Sequence, residues 1–175
     1  MSYIVVDVES DGPFPESNTG YSMVCFGAIV VEPSLSKTFY GQTRPISPLY
    51  QPDALAISGF SREQHEKFDD PVKVMNDFTE WINANTQGRP VMISDNIAYD
   101  WMFINFYLHK FVGRNVFGWS GRRISDIWAG YNNDMYVKWK HLRKTSHTHN
   151  PIDDAKGNAE ALLEMQKQGL KIKLT

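Results

Sequence analysis

The sequence contains a single cysteine, Cys25, among its 175 residues. One cysteine excludes an internal disulfide, and we expect a reducing compartment such as the cytoplasm. No apolar run approaches the roughly 20 residues that a membrane-spanning helix requires, so we expect no membrane partner. The N-terminal residues form an apolar patch without a basic flank or a small-residue cleavage site. That pattern predicts a first strand rather than a signal peptide.

The sequence also lacks internal repeats, low-complexity tracts and a linker, which predicts a single domain over residues 1–175. Its formal net charge of −2 argues against a protein that coats nucleic acid through bulk charge. The charge is unevenly distributed: residues 1–100 hold 6 Lys and Arg against 14 Asp and Glu, whereas residues 101–175 hold 12 against 6. An acidic half can hold metal ions and a basic half can bind phosphates, although solvated surface charge would give the same counts.

Hydrophobic patterning predicts an α/β fold. Apolar, β-branched stretches typical of strands lie at 3–9, 23–31, 37–43 and 90–94. Apolar residues recur at helical spacing in 71–86, 98–111, 124–131 and 151–168. Prolines after residue 44 favour an extended connection that ends near residue 60. Three strands joined by turns, followed by alternating helix and strand, predict a mixed sheet flanked by helices, with the first three strands antiparallel and the later ones parallel.

Two carboxylates lie at the end of the first predicted strand. Asp7 and Glu9 stand at i and i+2, and because side chains alternate along a strand, they project from the same face. Adjacent like charges repel each other, and burying them is unfavourable unless a cation lies between them. Mg²⁺ and Mn²⁺ prefer such oxygen ligands. The pair therefore indicates a metal site, although a solvated strand end leading into a loop would look the same.

Two further acidic positions lie at predicted helix starts. Asp100 falls in the first turn of a helix, where an acid also complements the helix dipole. His149 precedes the last helix, which Asn150 begins as N-cap and Pro151 as first helical residue. Asp154 closes the first turn, so the imidazole and this carboxylate can reach one place. Histidine is the side chain best suited to accept a proton near neutral pH, and an ordinary helix cap is the alternative interpretation.

The order of these pieces resembles a known family. Asp-x-Glu on the first strand, Asn96-x-x-x-Asp100 in mid-chain and His149-x-x-x-x-Asp154 near the end resemble the three motifs of the DEDDh (DnaQ-like) 3'–5' exonucleases. That superfamily has an RNase H-like fold and includes polymerase proofreading subunits, RNase T and oligoribonuclease. The resemblance spans almost the whole chain. One departure is Asp95, at a position where many relatives have histidine.

The resemblance implies an enzyme that hydrolyses phosphodiester bonds from the 3' end of a single-stranded nucleic acid. Its cofactors would be two divalent cations, Mg²⁺ or Mn²⁺, that stabilise the attacking and leaving oxygens. Asp7, Glu9, Asp100 and Asp154 would be the metal ligands. His149 would accept the proton of the attacking water, which completes the predicted set of catalytic residues.

Candidate substrate-binding residues occur in both halves of the chain. The backbone after the first motif could hold the terminal nucleotide, and the segment 56–60 resembles one that lies near the bound 3' nucleotide in relatives. The segment 138–144 combines cations for phosphates with an aromatic ring for base stacking, although a solvated edge with one buried tryptophan fits it equally well. The residues singled out in these segments are Ser10, Gly12, Phe60, Trp139, Lys140 and Arg143.

Three alternative functions fit parts of the pattern. A di-metal phosphohydrolase of small nucleotides would show a similar acidic cluster but needs no stacking surface for several bases. A non-catalytic nucleic-acid-binding module on the same fold would be expected to have lost an acidic position or the histidine, and none is missing. A plain interaction protein leaves the acidic pattern unexplained. The compact chain favours RNA over DNA as substrate, and a homodimer is implied only by analogy with RNase T and oligoribonuclease.

Overall fold

The computed structural model describes residues 1–172 and 174, and its centre is a five-stranded mixed sheet. The strands are β1 (Ser2–Ser10), β2 (Met23–Val30), β3 (Thr38–Gln42), β4 (Pro90–Ser94) and β5 (Arg122–Arg123). Their spatial order is β3-β2-β1-β4-β5. β2 is antiparallel to both β1 and β3, whereas β4 is parallel to β1 and β5 is parallel to β4. The predicted mixed sheet, antiparallel first and parallel later, is confirmed.

Helices cover both faces of this sheet. They are α1 (Pro52–Ile57), α2 (Arg62–His65), α3 (Pro71–Asn85), α4 (Ile97–Phe111), α5 (Ile124–Asn132) and α6 (Pro151–Lys167), with a 3₁₀ turn at Lys140–Leu142. The bounds of α3, α4, α5 and α6 agree with the predicted ones to within one residue. Among the residues that the structure describes, no helix has the length and apolar character needed to cross a bilayer.

The segment between residues 45 and 60, predicted to be extended, contains α1, and α2 follows it. Pro52 is the first residue of α1, a position where its fixed φ favours a helix and its missing N–H breaks no hydrogen bond. Ser61 caps α2: its side chain accepts a hydrogen bond from the backbone N–H of Gln64, and the Gln64 side chain accepts one from the N–H of Ser61. The extended prediction is therefore wrong, because a proline at this position begins a helix.

The sheet separates two apolar layers, and this arrangement buries β1 on both faces. Side chains at even positions of β1, Ile4 among them, pack against α3 and α4. Val5 belongs to the opposite layer, which α5 and α6 cover. Asp7 and Glu9 share the parity of Val5, so they project toward α6. Burial on both faces explains the unbroken apolar sequence that leads up to these two acids.

Candidate active site

Three carboxylates meet between the end of β1 and the start of α6. Asp7, Glu9 and Asp154 each offer one oxygen, and these oxygens all lie within 4.8 Å of one another. β1 supplies the first two, just before its pairing with β2 becomes irregular between Glu9 and Ser10. The first turn of α6 supplies the third. The fold therefore brings together acids from opposite ends of the chain.

The carboxylate of Asp154 is buried and held by several donors. Its Oδ2 accepts a hydrogen bond from the backbone N–H of His149 at 2.9 Å. Its Oδ1 accepts one from the backbone N–H of Thr148 at 3.2 Å and one from the guanidinium of Arg143 at 2.9 Å. Arg143 is itself largely buried. These bonds fix the direction in which the carboxylate faces the other two acids.

The start of α6 has the predicted capping pattern, and it places His149 at the rim of the acidic group. The side chain of Asn150 accepts a hydrogen bond from the N–H of Ile152 at 3.1 Å, and Pro151 is the first helical residue. His149 adopts the left-handed conformation, with φ of 60°. Its side chain is 52% exposed, and its Nδ1 lies 3.7 Å from Oε1 of Glu9. The imidazole is therefore accessible and close to the carboxylates.

Asp100 approaches the end of β1 from α4. It lies in the first turn of that helix and is buried. Its Oδ1 accepts a hydrogen bond from the backbone N–H of Val8 at 3.1 Å. Asp100 is not a member of the group whose oxygens lie within 4.8 Å, but its charge raises the pKa of Asp7. All four predicted acids thus surround the end of one strand.

Burial and neighbouring charges disfavour the ionised forms of Asp7 and Glu9. Burial, followed by the charges of Asp100, Glu9 and Asp154, raises the pKa of Asp7 well above its ordinary value, whereas the guanidinium of Arg143 lowers it. Burial raises the pKa of Glu9 to about 7, and the charges of Asp154 and Asp100 act in the same direction. Burial also raises the pKa of Asp100 to about 7. A divalent cation relieves this repulsion, so the cluster has the donors and the charge that suit one.

Gly27, on β2, allows the start of α6 to pack closely against the sheet beside Asp7. It pairs with Asp7 across the two central strands. A Cβ at this position would lie 2.4 Å from the carbonyl oxygen of Pro151. The atoms in the way belong to the backbone, so no side-chain rotation can relieve the overlap. The missing side chain at residue 27 therefore controls how near Asp154 lies to Asp7.

We expect Gly27→Ala to lower the rate of hydrolysis by about 10²-fold and to destabilise the protein by about 1–3 kcal/mol. The start of α6 would have to move by roughly 1 Å, and a displacement of that size at a catalytic group has an effect of this order. Kinetics at saturating metal and thermal unfolding measure the two effects. Gly130→Ala is the matched control, since the space around Gly130 is open. Equal losses in both variants would contradict the role of Gly27.

Ser10, Gly12 and Phe60 lie in different surroundings. Ser10 is the last residue of β1 and Gly12 belongs to the loop that follows, and the buried hydroxyl of Ser10 donates to the carbonyl oxygen of Gly12 at 2.5 Å. A Cβ at Gly12 would lie 2.1 Å from the ring of Tyr21, so the loop requires glycine there. The half-buried ring of Phe60 packs edge to face against Phe68, with centroids 4.9 Å apart. Ser10 therefore follows Glu9 directly in the chain, whereas Phe60 packs against the small apolar cluster of Val24, Cys25 and Leu55.

The structure corrects the expectation for Trp139. This ring is 4% exposed and packs in the apolar layer under α5 and α6. A ring buried there cannot stack on a base. The basic residues on either side of it in the sequence had indicated an exposed segment. The side chain of Lys140 is exposed to solvent, whereas that of Arg143 is largely buried and contacts Asp154. Together with Lys144 they line a cavity of about 260 Å³.

A buried ion pair, which no motif in the sequence signals, anchors the loop after β1. Oδ2 of the fully buried Asp11 lies 3.0 Å from Nη1 of Arg62. Its Oδ1 accepts a hydrogen bond from the backbone N–H of Ser22. Burial raises the pKa of Asp11 to about 6, while the Ser22 N–H and Arg62 lower it. Arg62 comes 51 positions after Asp11, so only the tertiary structure reveals the pair.

Comparisons with known proteins agree with this architecture. No protein-family model matches the chain. A curated relative, the 3'–5' DNA exonuclease Cap18 of Escherichia coli, is 34% identical over an alignment of 186 residues. The alignment covers 98% of this chain and 95% of the relative. This degree of identity over nearly the full length of both proteins establishes a family relationship.

Solved structures share the fold at much lower identity. Cell-death related nuclease 4 (CRN-4) superposes with a TM-score of 0.74 and 14% identity, covering 96% of this chain and 64% of that one. The zinc-bound complex of E. coli Exonuclease I with single-stranded DNA gives a TM-score of 0.68 and 15% identity, covering 97% of this chain and 41% of that one. The chain thus spans less than two thirds of either protein, and the likeness confirms the predicted RNase H-like fold. On the strength of the Cap18 match, the chain belongs to the DnaQ-like superfamily of 3'–5' exonucleases.

Proposed function

We propose that this chain removes nucleotides one at a time from the 3' end of single-stranded nucleic acid by two-metal hydrolysis, with residues 1–175 acting as one exonuclease domain. The observation that carries the proposal is the convergence of Asp7, Glu9 and Asp154 within 4.8 Å. His149 lies beside them, 3.7 Å from Glu9. Phosphodiester hydrolysis of this kind requires an acidic metal centre next to a proton acceptor.

Asp7, Glu9, Asp100 and Asp154 are the residues that would hold two ions, Mg²⁺ or Mn²⁺. All four supply the hard oxygen donors that these ions prefer. The charges of the other three acids all raise the pKa of Asp7, and a cation held among them would relieve this repulsion. When bound, the cations would lower the pKa of a water molecule and stabilise the attacking and leaving oxygens of the reaction.

His149 would accept the proton of the attacking water. Imidazole is the side chain best suited to transfer protons near neutral pH. The half-exposed ring can contact substrate and exchange its proton with solvent. The hydrogen bond from its backbone N–H to Asp154 holds the residue beside the acids. This position favours a general base over a core histidine.

Substrate contacts are proposed on two sides of the acids. The cavity lined by Lys140, Arg143 and Lys144 suits the phosphates of a nucleic-acid backbone. The backbone of Ser10 and Gly12, just after Glu9 in the chain, would contact the terminal nucleotide. Phe60 would contribute an apolar contact, and its half-buried ring packs against Val24, Cys25 and Leu55.

DNA is the substrate that we infer, because the relative that covers almost the whole chain is named as a DNA exonuclease. The compact sequence by itself favoured RNA, and the DNA exonuclease relative leads us to propose DNA in its place. The choice depends on whether the site contacts a 2'-hydroxyl group, which only RNA provides. Matched DNA and RNA strands therefore belong in any test of the activity.

We expect a 5'-labelled single strand to give a descending ladder of products when incubated with the protein and Mg²⁺ or Mn²⁺. A 3'-phosphate should slow this reaction sharply, because the enzyme would begin at the 3' terminus. DNA and RNA strands of one sequence, single- and double-stranded, measure the preference for sugar and strandedness. Cleavage of a circular single strand at the same rate would show an endonuclease and exclude the proposal. Hydrolysis of mononucleotides without shortening of the strand would instead indicate the di-metal phosphohydrolase.

A further inference from the structure

A second group of potential metal ligands overlaps the acidic centre on its solvent side. His147, His149 and Asp154 each offer one ligand atom, and these atoms lie within 4.8 Å of one another. Nδ1 of His147 is 2.8 Å from Oδ1 of Asp154. The two imidazole rings pack edge to face with their centroids 4.4 Å apart. His147 also lines the cavity beside Lys140, Arg143 and Lys144, and the proposed hydrolysis gives it neither a proton to transfer nor a Mg²⁺ ion to hold.

The two overlapping groups suit different metals. Asp7, Glu9 and Asp154 form an all-oxygen set, which Mg²⁺ and Mn²⁺ prefer. Two imidazole nitrogens with one carboxylate oxygen are typical ligands of Zn²⁺ and of other late first-row transition metals. The side chains of His147 and His149 are 54% and 52% exposed, so an ion can reach them from solvent. Water could fill the remaining coordination positions.

Backbone hydrogen bonds hold the segment that carries the two histidines against the carboxylate of Asp154. His149 has a φ of 60° and donates its N–H to Oδ2 of Asp154 at 2.9 Å, and Thr148 donates its N–H to Oδ1 at 3.2 Å. Tetrahedral zinc ligands lie roughly 3.3 Å apart, so His147 and Asp154 need only a small adjustment from their 2.8 Å contact. Arg143 also donates to Oδ1 of Asp154 at 2.9 Å. Because an ion would share the carboxylate with this cation, its binding should be reversible.

We propose that His147, His149 and Asp154 form a regulatory site for Zn²⁺ or a similar transition-metal ion, and that occupation of this site inhibits hydrolysis. Nδ1 of His147 would exchange its contact with Asp154 for a bond to the ion, with its proton moving to Nε2. The ion would withdraw His149 from proton transfer and Asp154 from the Mg²⁺ centre. The inhibition rests on the proposed exonuclease activity, whereas the binding does not.

Binding is tested on metal-free protein with Co²⁺, whose visible absorption reports nitrogen ligands, and with Zn²⁺ in competition. His147→Asn is the informative variant, because asparagine can still donate a hydrogen bond to Asp154 but removes the imidazole. We expect the affinity for both ions to fall at least about tenfold, since loss of even an outer partner of a metal ligand has an effect of this size. His109→Asn, at an exposed histidine on α4, should leave the affinity unchanged.

Inhibition is tested by adding Zn²⁺ to hydrolysis reactions that contain saturating Mg²⁺. Measured against its own rate without Zn²⁺, His147→Asn should require at least about tenfold more Zn²⁺ for half-inhibition than the wild type. Equal Zn²⁺ sensitivity and equal Co²⁺ affinity in both proteins would place the ion on the carboxylates alone and overturn this inference, leaving the exonuclease proposal intact. A protein that binds Co²⁺ through His147 but hydrolyses no nucleic acid would overturn the exonuclease proposal and leave the metal site.

Discussion

Chelation of divalent cations with EDTA, or the substitution Asp7→Asn, is expected to abolish hydrolysis of single-stranded nucleic acid. Three neighbouring acids raise the pKa of Asp7, so this carboxylate lies among all the proposed metal ligands. An amide has no charge with which to hold them, so the variant should lose metal binding and activity together. Hydrolysis assays before and after chelation measure the activity, and calorimetric titration with Mn²⁺ measures binding.

The matched control is Asp77→Asn. Asp77 is an exposed acid on α3 that pairs with Lys73 at the surface, and its replacement should change neither binding nor rate. Full activity of a chelated sample, or wild-type turnover by Asp7→Asn at saturating metal, would contradict a metal-dependent mechanism. Loss of activity in Asp7→Asn with unchanged metal binding would remove Asp7 from the proposed ligands.

The loss of metal binding can also be measured without hydrolysis, through the effect of pH on stability. Burial raises the pKa of Glu9 and of Asp100 to about 7, above their ordinary values, so the metal-free folded state binds more protons than the unfolded state. Its stability from these groups is therefore present at low pH and is lost as the pH rises through about 7. Mg²⁺ binds the ionised acids, so it should raise the melting temperature more at about pH 8 than at about pH 5.5. Asp7→Asn should weaken this Mg²⁺ effect.

Replacing His149 by alanine is expected to lower the rate by roughly 10²–10⁴, the usual contribution of a positioned general base. The four carboxylates remain, so folding and metal binding should stay close to those of the wild type. A higher pH should partly restore the rate, because hydroxide can replace the missing proton acceptor. The comparison with Asp7→Asn is informative here, since no increase in pH should rescue a variant that has lost its metal.

The variant His149→Asn distinguishes the loss of the proton-accepting imidazole from a change in backbone conformation at residue 149. His149 has a positive φ, a conformation that asparagine adopts more readily than alanine, and its N–H should still donate to Asp154. We expect the same loss of rate as in the alanine variant, with thermal unfolding unchanged. Wild-type turnover by either variant at saturating metal would support the helix-cap interpretation of His149 and rule out its catalytic role.

Local patterns in the sequence were sufficient to predict the strand and the helices that carry the four acids. The alternation of β1 places Asp7 and Glu9 on one face, and that face is the one covered by α6. Asn150 and Pro151 predict the start of α6 correctly, because capping depends on residues that are adjacent in the chain. The order of the motifs was likewise enough to identify the superfamily.

The burial of Trp139 and the conformation around Pro52 could be seen only in the tertiary structure. Trp139 stands among basic residues in the sequence, yet packing against α5 and α6 buries its ring and removes it from the surface. Pro52 fits an extended segment as well as a helix start, and the structure has the helix. In both cases the sequence allowed two states, and the tertiary structure shows which of them forms.

The geometry of the site depends on contacts between segments that are far apart in the chain. Gly27 controls the approach of Pro151, and Arg62 neutralises the buried Asp11 beside the end of β1. Hydrogen bonding and side-chain alternation within a segment are determined by its own residues, so the sequence predicts them. The spacing between a strand and a helix is determined by how their surfaces pack, and only the tertiary structure shows it.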